Sequence, residues 1–134
     1  MQFPLDEEHR LILEVVRRFV SEDLLPAEKG ALEREAAGLG LTFDPDIERG
    51  LNARAKALGL WGLDVPREFG GYDLPANAMV AINFELGKTI APYKPLPDSP
   101  NLAMLMMTCT GEEQRERYLL PYASGEKKAF MAIS

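Results

Sequence analysis

The chain has 134 residues and a mass of 14.9 kDa, which fits one compact domain. Its 15 basic and 21 acidic residues give a formal charge of -6, so there is no electrostatic reason to expect binding to nucleic acid or anionic lipid. Its apolar stretches are too short to span a membrane, and no export signal is visible. A single cysteine and a single histidine supply neither a disulfide nor a zinc ligand set, so the expected compartment is the cytoplasm.

The first predicted helix spans about residues 6–25. Four apolar residues recur there at the helical spacing i, i+3, i+4 and i+7, namely Ile12, Val15, Val16 and Phe19. Pro26 is expected to end or bend this helix. Residues 27–43 carry three glycines among charged side chains, which predicts a short helix within a loop.

The second predicted helix begins at Asp44 and Pro45. Asp44 is a favourable N-cap residue, and Pro45 suits the first helical position because proline has no backbone N–H that needs a partner. Gly59 is expected to close it in the left-handed conformation. The expected buried residues are Ile47, Leu51, Ala55 and Leu58. Residues 60–72, with their proline and paired glycines, predict an irregular connection.

Three further segments follow. A helix is expected from about Pro75, with Met79, Ile82 and Leu86 buried. Ser99 and Pro100 open an almost wholly apolar helix that runs to Cys109 and is expected to be buried on all sides. The sequence Thr110-Gly111-Glu112-Glu113 matches a capping box and predicts a helix to about Ser124, stopped by Gly125.

The predicted fold class is all-α: an orthogonal or up-down bundle of about five or six helices, with the start of a β-strand at the C-terminal end. Residues 1–128 form the predicted helical domain, and residues 129–134 are the expected first residues of a middle β domain. No strand within the chain is predicted to pair with the apolar residues Phe130, Met131 and Ile133. We therefore expect the rest of that sheet to lie in sequence beyond them.

Few residues indicate chemistry by themselves. His9 is expected on a charged helix surface, and Cys109 as a buried, inert thiol. The acidic pairs lie at polar helix starts, and Gly70-Gly71 is better explained by a turn than by a phosphate loop. The methionines of the apolar helix, together with Met79, fit either simple core filling or the wall of a pocket for a long apolar ligand such as an acyl chain.

Three segments carry a family resemblance. Residues 3–10 read FPLDEEHR, residues 55–71 read AKALGLWGLDVPREFGG, and residues 110–126 read TGEEQRERYLLPYASGE. They resemble, in order and approximate spacing, the N-terminal helical domain of the acyl-CoA dehydrogenase family. The second segment matches its G-L-x-G-L-x-x-P-x-x-[YF]-G-G signature, and the third, from Gln114 to Glu126, matches its Q-[KR]-x-x-[YW]-L-x-P-x-x-x-G-E run.

The resemblance implies one domain of a longer FAD-dependent oxidoreductase that oxidises the α,β carbon–carbon bond of an acyl-CoA. It further implies a homotetramer, an electron-accepting flavoprotein as partner, and a catalytic glutamate in the C-terminal domain, so no catalytic residue is assigned in this chain. By the same resemblance, Met131, Ile133 and Ser134 would lie at the flavin. Ala103, Met104 and Met107 would line the acyl pocket.

Two other functions remain open at this point. Flavin oxidases and flavin-dependent monooxygenases resemble the dehydrogenases in this domain. A free-standing helical module that binds a partner and catalyses nothing would also fit, provided that another chain covers its apolar tail. Acyl chain length and branching depend on residues from other domains, so the sequence does not assign them.

Overall fold

The computed structural model describes residues 5–94 and 99–128, and over these residues the all-α prediction is confirmed: no strand occurs among them. The strand predicted at 129–134 lies outside the described residues. The α-helices are α1 (Glu7–Phe19), α2 (Leu25–Ala36), α3 (Pro45–Ala57), α4 (Ala76–Leu86), α5 (Ser99–Thr108), α6 (Glu112–Gln114) and α7 (Leu120–Ala123). The chain divides into two compact units: unit 1 contains Met1–Leu60 and Pro75–Lys94, and unit 2 contains Trp61–Leu74 and Pro95–Ser134.

Helical backbone continues past Pro26 instead of ending there. A π-helical turn, Val20–Leu24, joins α1 to α2, and the N–H of Leu25 donates to the carbonyl of Val20, five residues earlier. Proline lacks an N–H and its ring crowds the carbonyl four residues before it, so a wider turn at this point relieves the conflict. The short helix expected within a loop over 27–43 is instead the continuation of α2, and the loop begins only after Ala36.

The same device recurs near the end of the chain. A second π-helical turn, Arg115–Leu119, joins α6 to α7, and the N–H of Leu120 donates to the carbonyl of Arg115. Each π-helical turn ends at the first leucine of a Leu-Leu-Pro tripeptide, so a leucine and then a proline follow the turn. We infer that both helices use this turn to accommodate a proline without ending.

Unit 1 is built on α1 packed against α4. Val16 and Phe19 are fully buried as predicted, whereas Ile12 and Val15 are half-buried. Ile82 and Leu86 of α4 are buried as predicted, and Met79 is half-buried. The ring of Tyr93 lies 5.7 Å from that of Phe19 and extends this core.

The predicted ends of α3 are confirmed. The Asp44 carboxylate accepts a hydrogen bond from the N–H of Asp46 at 2.9 Å, and Pro45 is the first helical residue. Gly59 has a φ of +71°, and the N–H of Leu60 reaches back to the carbonyl of Ala55 at 2.8 Å. This pair of features is a Schellman C-cap.

Ile47 differs from the prediction, since it is 50% exposed. It lies in the first turn of α3, where it lines a shallow surface cavity with Phe43 rather than entering the core. Leu51 and Ala55 are buried as expected, and Leu58 is half-buried.

Unit 2 has its own core around α5 and the final helices. The buried members of this core are Val65, Leu102, Cys109, Leu119, Tyr122 and Ala123. The helix starts one residue later than predicted, and only half of a capping box forms: the N-cap, Gly111, has no side chain, while its N–H donates to Oε1 of Gln114 at 3.3 Å. Gly125, with a φ of +80°, follows the last helix as expected.

Candidate functional site: the exposed face of α5 and the loop before α4

The three residues expected to bind substrate share one face of α5. Ala103 and Met107 are exposed, Met107 to 74%, and Met104 is half-buried. Residue 107 follows residue 104 by three positions and residue 103 by four, so its side chain neighbours both of theirs on the helical surface. We call these three residues the α5 face.

The opposite side of α5 belongs to the core of unit 2. Leu102 and Cys109 are buried there, and Leu105 and Met106 pack against the same cluster. The prediction that α5 is buried on all sides is therefore wrong. Within unit 2 the helix packs against the second π-helical turn, and among its described side chains Ala103, Met107 and Thr108 are exposed.

The α5 face contains no ionisable side chain. Methionine thioethers are flexible and polarizable, and they adapt to irregular apolar ligands. The face can therefore contact an acyl chain, but it supplies no acid, base or nucleophile. Its chemical role is limited to shape and apolar contact.

The loop from Trp61 to Leu74, between α3 and α4, is held by its own backbone. The N–H of Tyr72 donates to the carbonyl of Gly62 at 3.0 Å, and the N–H of Leu74 donates to that of Leu63 at 2.9 Å. Gly71 has no room for a side chain, because an added Cβ would overlap the carbonyl of Val65. We call this segment the signature loop, since it contains most of the G-L-x-G-L-x-x-P motif.

The paired glycines of the signature loop do not form a phosphate cradle. The N–H groups of Phe69 and Gly70 donate to the carbonyls of Pro66 and Arg67, at 2.9 and 3.0 Å. The N–H of Gly71 also donates to Pro66, at 3.3 Å. A phosphate site needs free N–H groups that point at the anion, and these are already used. The geometry supports the predicted turn.

The signature loop is fastened to the last helix. Nε1 of Trp61 donates to the carbonyl of Ala123 at 3.1 Å, and the indole lies directly against the α-carbon of Gly125. The Arg115 guanidinium sits 5.2 Å from the centre of the Phe69 ring. The second and third segments of the sequence resemblance are thus in contact within unit 2.

The buried carboxylate of Glu85 was not predicted from the sequence. Its Oε1 accepts from Nε of Arg17 at 3.0 Å, and its Oε2 lies 2.6 Å from Nζ of Lys88. Burial by itself would raise the pKa of Glu85, but the hydrogen bonds from Lys88 and Arg17 outweigh it and lower the pKa. The group is an ionised structural anchor between α1 and α4.

A signal for Glu85 was present in the sequence. The buried residues of α4 are Ala78, Ala81, Ile82, Glu85 and Leu86, so the acid falls on the apolar stripe. An acidic residue at such a position requires a cationic partner. The sequence offers many cations, and only the packing of α1 against α4 selects Arg17.

Unit 1 also contains a cavity of about 610 Å³ next to the C-terminal end of α4. Leu86, Ala91 and Pro92 give it apolar walls, and Asn83, Tyr93 and Lys94 also line it. The Tyr93 hydroxyl donates to Oδ1 of Asn52 at 2.9 Å. Burial, with a smaller contribution from Glu48, raises the pKa of Tyr93, so the phenol stays neutral. We call this the α4 cavity; no pattern in the sequence predicted it.

The remaining candidates are His9 and Cys109. His9 is more enclosed than expected, because its side chain is 15% exposed and its Nδ1 lies 3.1 Å from the Asp6 carboxylate. Cys109 is buried, as predicted.

Over residues 5–94 and 99–128, no group of three or more potential metal ligands comes together. No helix in this part of the chain is both long and apolar enough to cross a membrane.

The three residues expected at the flavin, Met131, Ile133 and Ser134, lie outside the described residues. The described chain does contain the domain to which they would be attached. The family model of the acyl-CoA dehydrogenase N-terminal domain matches residues 6–126, which include α1, the signature loop and the final helices.

The chain belongs to this family. The (R)-benzylsuccinyl-CoA dehydrogenase of Thauera aromatica is 34% identical to this acyl-CoA dehydrogenase N-terminal domain over 94% of the chain. The (2S)-methylsuccinyl-CoA dehydrogenase of Cereibacter sphaeroides is 30% identical over 91%. A probable acyl-CoA dehydrogenase of Bacillus subtilis (strain 168) is 27% identical over 96%.

This acyl-CoA dehydrogenase N-terminal domain spans only part of each relative. The alignments cover 33%, 21% and 20% of the three relatives in the order given. Sites that the relatives build from the rest of their chains therefore have no counterpart among the residues described above.

Proposed function

We propose that this chain is the N-terminal domain of an FAD-dependent acyl-CoA dehydrogenase that oxidises the α,β carbon–carbon bond of an acyl-CoA thioester. The observation that carries the proposal is the family match over residues 6–126. The matched region includes Trp61 of the signature loop and Gly125, which contact each other. Residues of the second and third sequence motifs therefore also pack together within unit 2.

The proposed role of this chain is to hold the substrate. The α5 face forms part of the acyl-pocket wall, and Met104 and Met107 adapt to the bound chain. Met131, Ile133 and Ser134 contact the flavin. FAD, when bound, supplies the acceptor for the hydride from the β-carbon. The glutamate that removes the α-proton comes from the C-terminal part of the full-length protein.

The proposed substrate class follows from two relatives. Two of the relatives reported above are at least 30% identical to this chain, and they are named for CoA esters of benzylsuccinate and methylsuccinate. We propose that the acyl group is a substituted succinyl group, which keeps a free carboxylate besides the thioester. An electron-accepting flavoprotein as reoxidant, a homotetramer and a cytoplasmic location complete the proposal.

The test uses the full-length protein. We expect a flavin absorbance spectrum after purification, and bleaching of that spectrum when an acyl-CoA is added without oxygen. A methylsuccinyl-CoA titration followed by mass analysis of the product should show the loss of two hydrogens.

Other outcomes identify the alternatives. Rapid reoxidation in air with formation of hydrogen peroxide would indicate an oxidase. A protein without flavin that does not take up FAD would contradict the proposal and favour a non-catalytic helical module.

A further inference from the structure

The helix α5 carries no charge, although 27% of the chain consists of charged residues. A helix face that meets only water usually carries charged and polar side chains. Ala103 and Met107 are exposed on α5 instead. The exposed Thr108 is the polar neighbour of this face, and its hydroxyl donates to the carbonyl of Met104 at 2.8 Å. The α5 face therefore suits an apolar ligand better than water.

The missing charge decides which part of the proposed substrate the α5 face can contact. A substituted succinyl group has a free carboxylate and an apolar substituent. A carboxylate removed from water requires a cation or hydrogen-bond donors, and the α5 face supplies neither. The hydroxyl proton of Thr108 is already used by the helix backbone. The face therefore contacts the substituent and not the free carboxylate.

The side chains of the α5 face differ in length in a way that suits a flat group. Ala103 contributes only a methyl group, whereas Met104 and Met107 end in long, flexible thioethers. Met107 neighbours both other residues on the helical surface. A planar ring can lie over the alanine methyl group while the thioethers move to its edge. Thioether sulfur makes favourable contacts with aromatic rings, often at the ring edge.

From this composition we propose that the α5 face binds an aromatic ring, carried as the substituent of the acyl group. The ring lies over Ala103, with the sulfur atoms of Met104 and Met107 at its edge. This inference rests on the proposed function and narrows its substrate class, because a substituted succinyl group can carry either an alkyl or an aryl substituent. Met104 and Met107 are thus specificity-determining residues for an aryl substituent.

The test compares two esters of similar size in the full-length enzyme: benzylsuccinyl-CoA and cyclohexylmethylsuccinyl-CoA, in which the ring is saturated. Both substituents are apolar, but only the first is aromatic. Two sulfur–aromatic contacts should raise kcat/KM for the benzyl ester at least about threefold over the cyclohexylmethyl ester. Equal values for the two esters, or a preference for the saturated ring, would overturn the inference.

The double variant Met104→Leu, Met107→Leu removes both sulfur atoms and keeps apolar side chains of similar volume. We expect the ratio of kcat/KM between the two esters to fall close to one. Met106→Leu is the matched control, because Met106 packs against the core of unit 2. It should keep the wild-type ratio. An unchanged ratio in the double variant, or an equal fall in the control, would overturn the role of the α5 face.

Ala103→Leu tests the position of the ring. The larger side chain would fill the space over the alanine methyl group, so kcat/KM for benzylsuccinyl-CoA relative to methylsuccinyl-CoA should fall at least about tenfold. Ala53→Leu is the control, since Ala53 is exposed on α3 in unit 1. A relative value that Ala103→Leu leaves unchanged would contradict the placement of the ring.

A calorimetric titration separates this inference from the proposed function, because binding does not require turnover. Tighter binding of benzylsuccinyl-CoA than of the cyclohexylmethyl ester, lost in the double variant, would support the aromatic site even in a protein that oxidises neither ester. That inactivity would contradict the proposed function alone. Equal binding of both esters by an active dehydrogenase would overturn the aromatic site and leave the proposed function intact.

Discussion

The indole of Trp61 lies directly on the α-carbon of Gly125, and the two residues connect the signature loop with the end of the last helix. Any side chain at position 125 would overlap the six-membered ring of the indole. The indole cannot move away freely, because its Nε1 donates to the carbonyl of Ala123 at 3.1 Å. Position 125 therefore requires glycine for two reasons: its φ of +80° and the ring above it.

Gly125→Ala should destabilise the full-length protein. We expect a loss of roughly 2–4 kcal/mol, which combines the left-handed conformation with overpacking against the ring. Gly38→Ala is the control, since Gly38 also has a positive φ, +76°, but faces open space. Thermal unfolding should show the larger decrease for position 125, and equal decreases would mean that the indole contact is unimportant.

Gly71→Ala tests the signature loop. The added methyl group would meet the backbone carbonyl of Val65, which cannot rotate away as a side chain would. We expect a loss of roughly 1–3 kcal/mol or more from overpacking. Gly50→Ala, in the interior of α3 with open space around it, should instead stabilise the protein by about 0.5–1 kcal/mol. Urea denaturation of both variants gives the comparison, and a neutral result at position 71 would contradict the close approach of the loop backbone to this glycine.

Glu85→Gln should make the free energy of unfolding less dependent on pH in the acidic range. The folded-state pKa of Glu85 lies below the usual value of 4.5, so its contribution is complete above that value and is lost as the pH falls through the folded-state pKa. At pH 7 we expect the variant to be less stable than wild type by roughly 1.5–3 kcal/mol, the size of a hydrogen bond to a charged group. Below pH 4.5 the difference should shrink.

Glu22→Gln is the control for Glu85. Glu22 is 51% exposed and pairs with Arg18 at 3.5 Å, so its replacement should change stability by about 0.5 kcal/mol or less. Urea midpoints measured between about pH 3 and pH 7 would show both effects. A difference between wild type and Glu85→Gln that stays constant over this range would exclude titration of Glu85 as its cause.

Met104→Phe and Met107→Phe test the α5 face. If the face lines the acyl pocket, the larger rings should shorten the preferred acyl chain and leave the flavin content unchanged. Met107 is 74% exposed in the described structure, so the melting temperature should change little. An unchanged chain-length profile with a lower melting temperature would favour core filling.

Met106→Phe is the matched control on the other side of α5. Met106 packs against the core of unit 2. Overpacking there should lower stability by roughly 1–3 kcal/mol without changing chain-length preference. Activity against a series of acyl-CoA esters, together with thermal unfolding, distinguishes the two sides of the helix.

The sequence by itself determined the features that depend on a few neighbouring residues. Asp44 with Pro45 starts α3, and Gly59 and Gly125 follow helix ends, because caps satisfy local backbone groups and left-handed residues favour glycine. The family motifs were readable for the same reason. Their glycines and prolines impose backbone conformations that few other residues adopt.

Only the tertiary structure decided which side chains meet across long distances in the chain. The pairing of Glu85 with Arg17, the contact of Trp61 with Gly125 and the one-sided packing of α5 all join residues whose relative positions no local pattern fixes. Helix periodicity identifies an apolar surface but not the element that covers it. An apolar helix such as α5 therefore looked buried in sequence, although its Met104 and Met107 side remains available for contact.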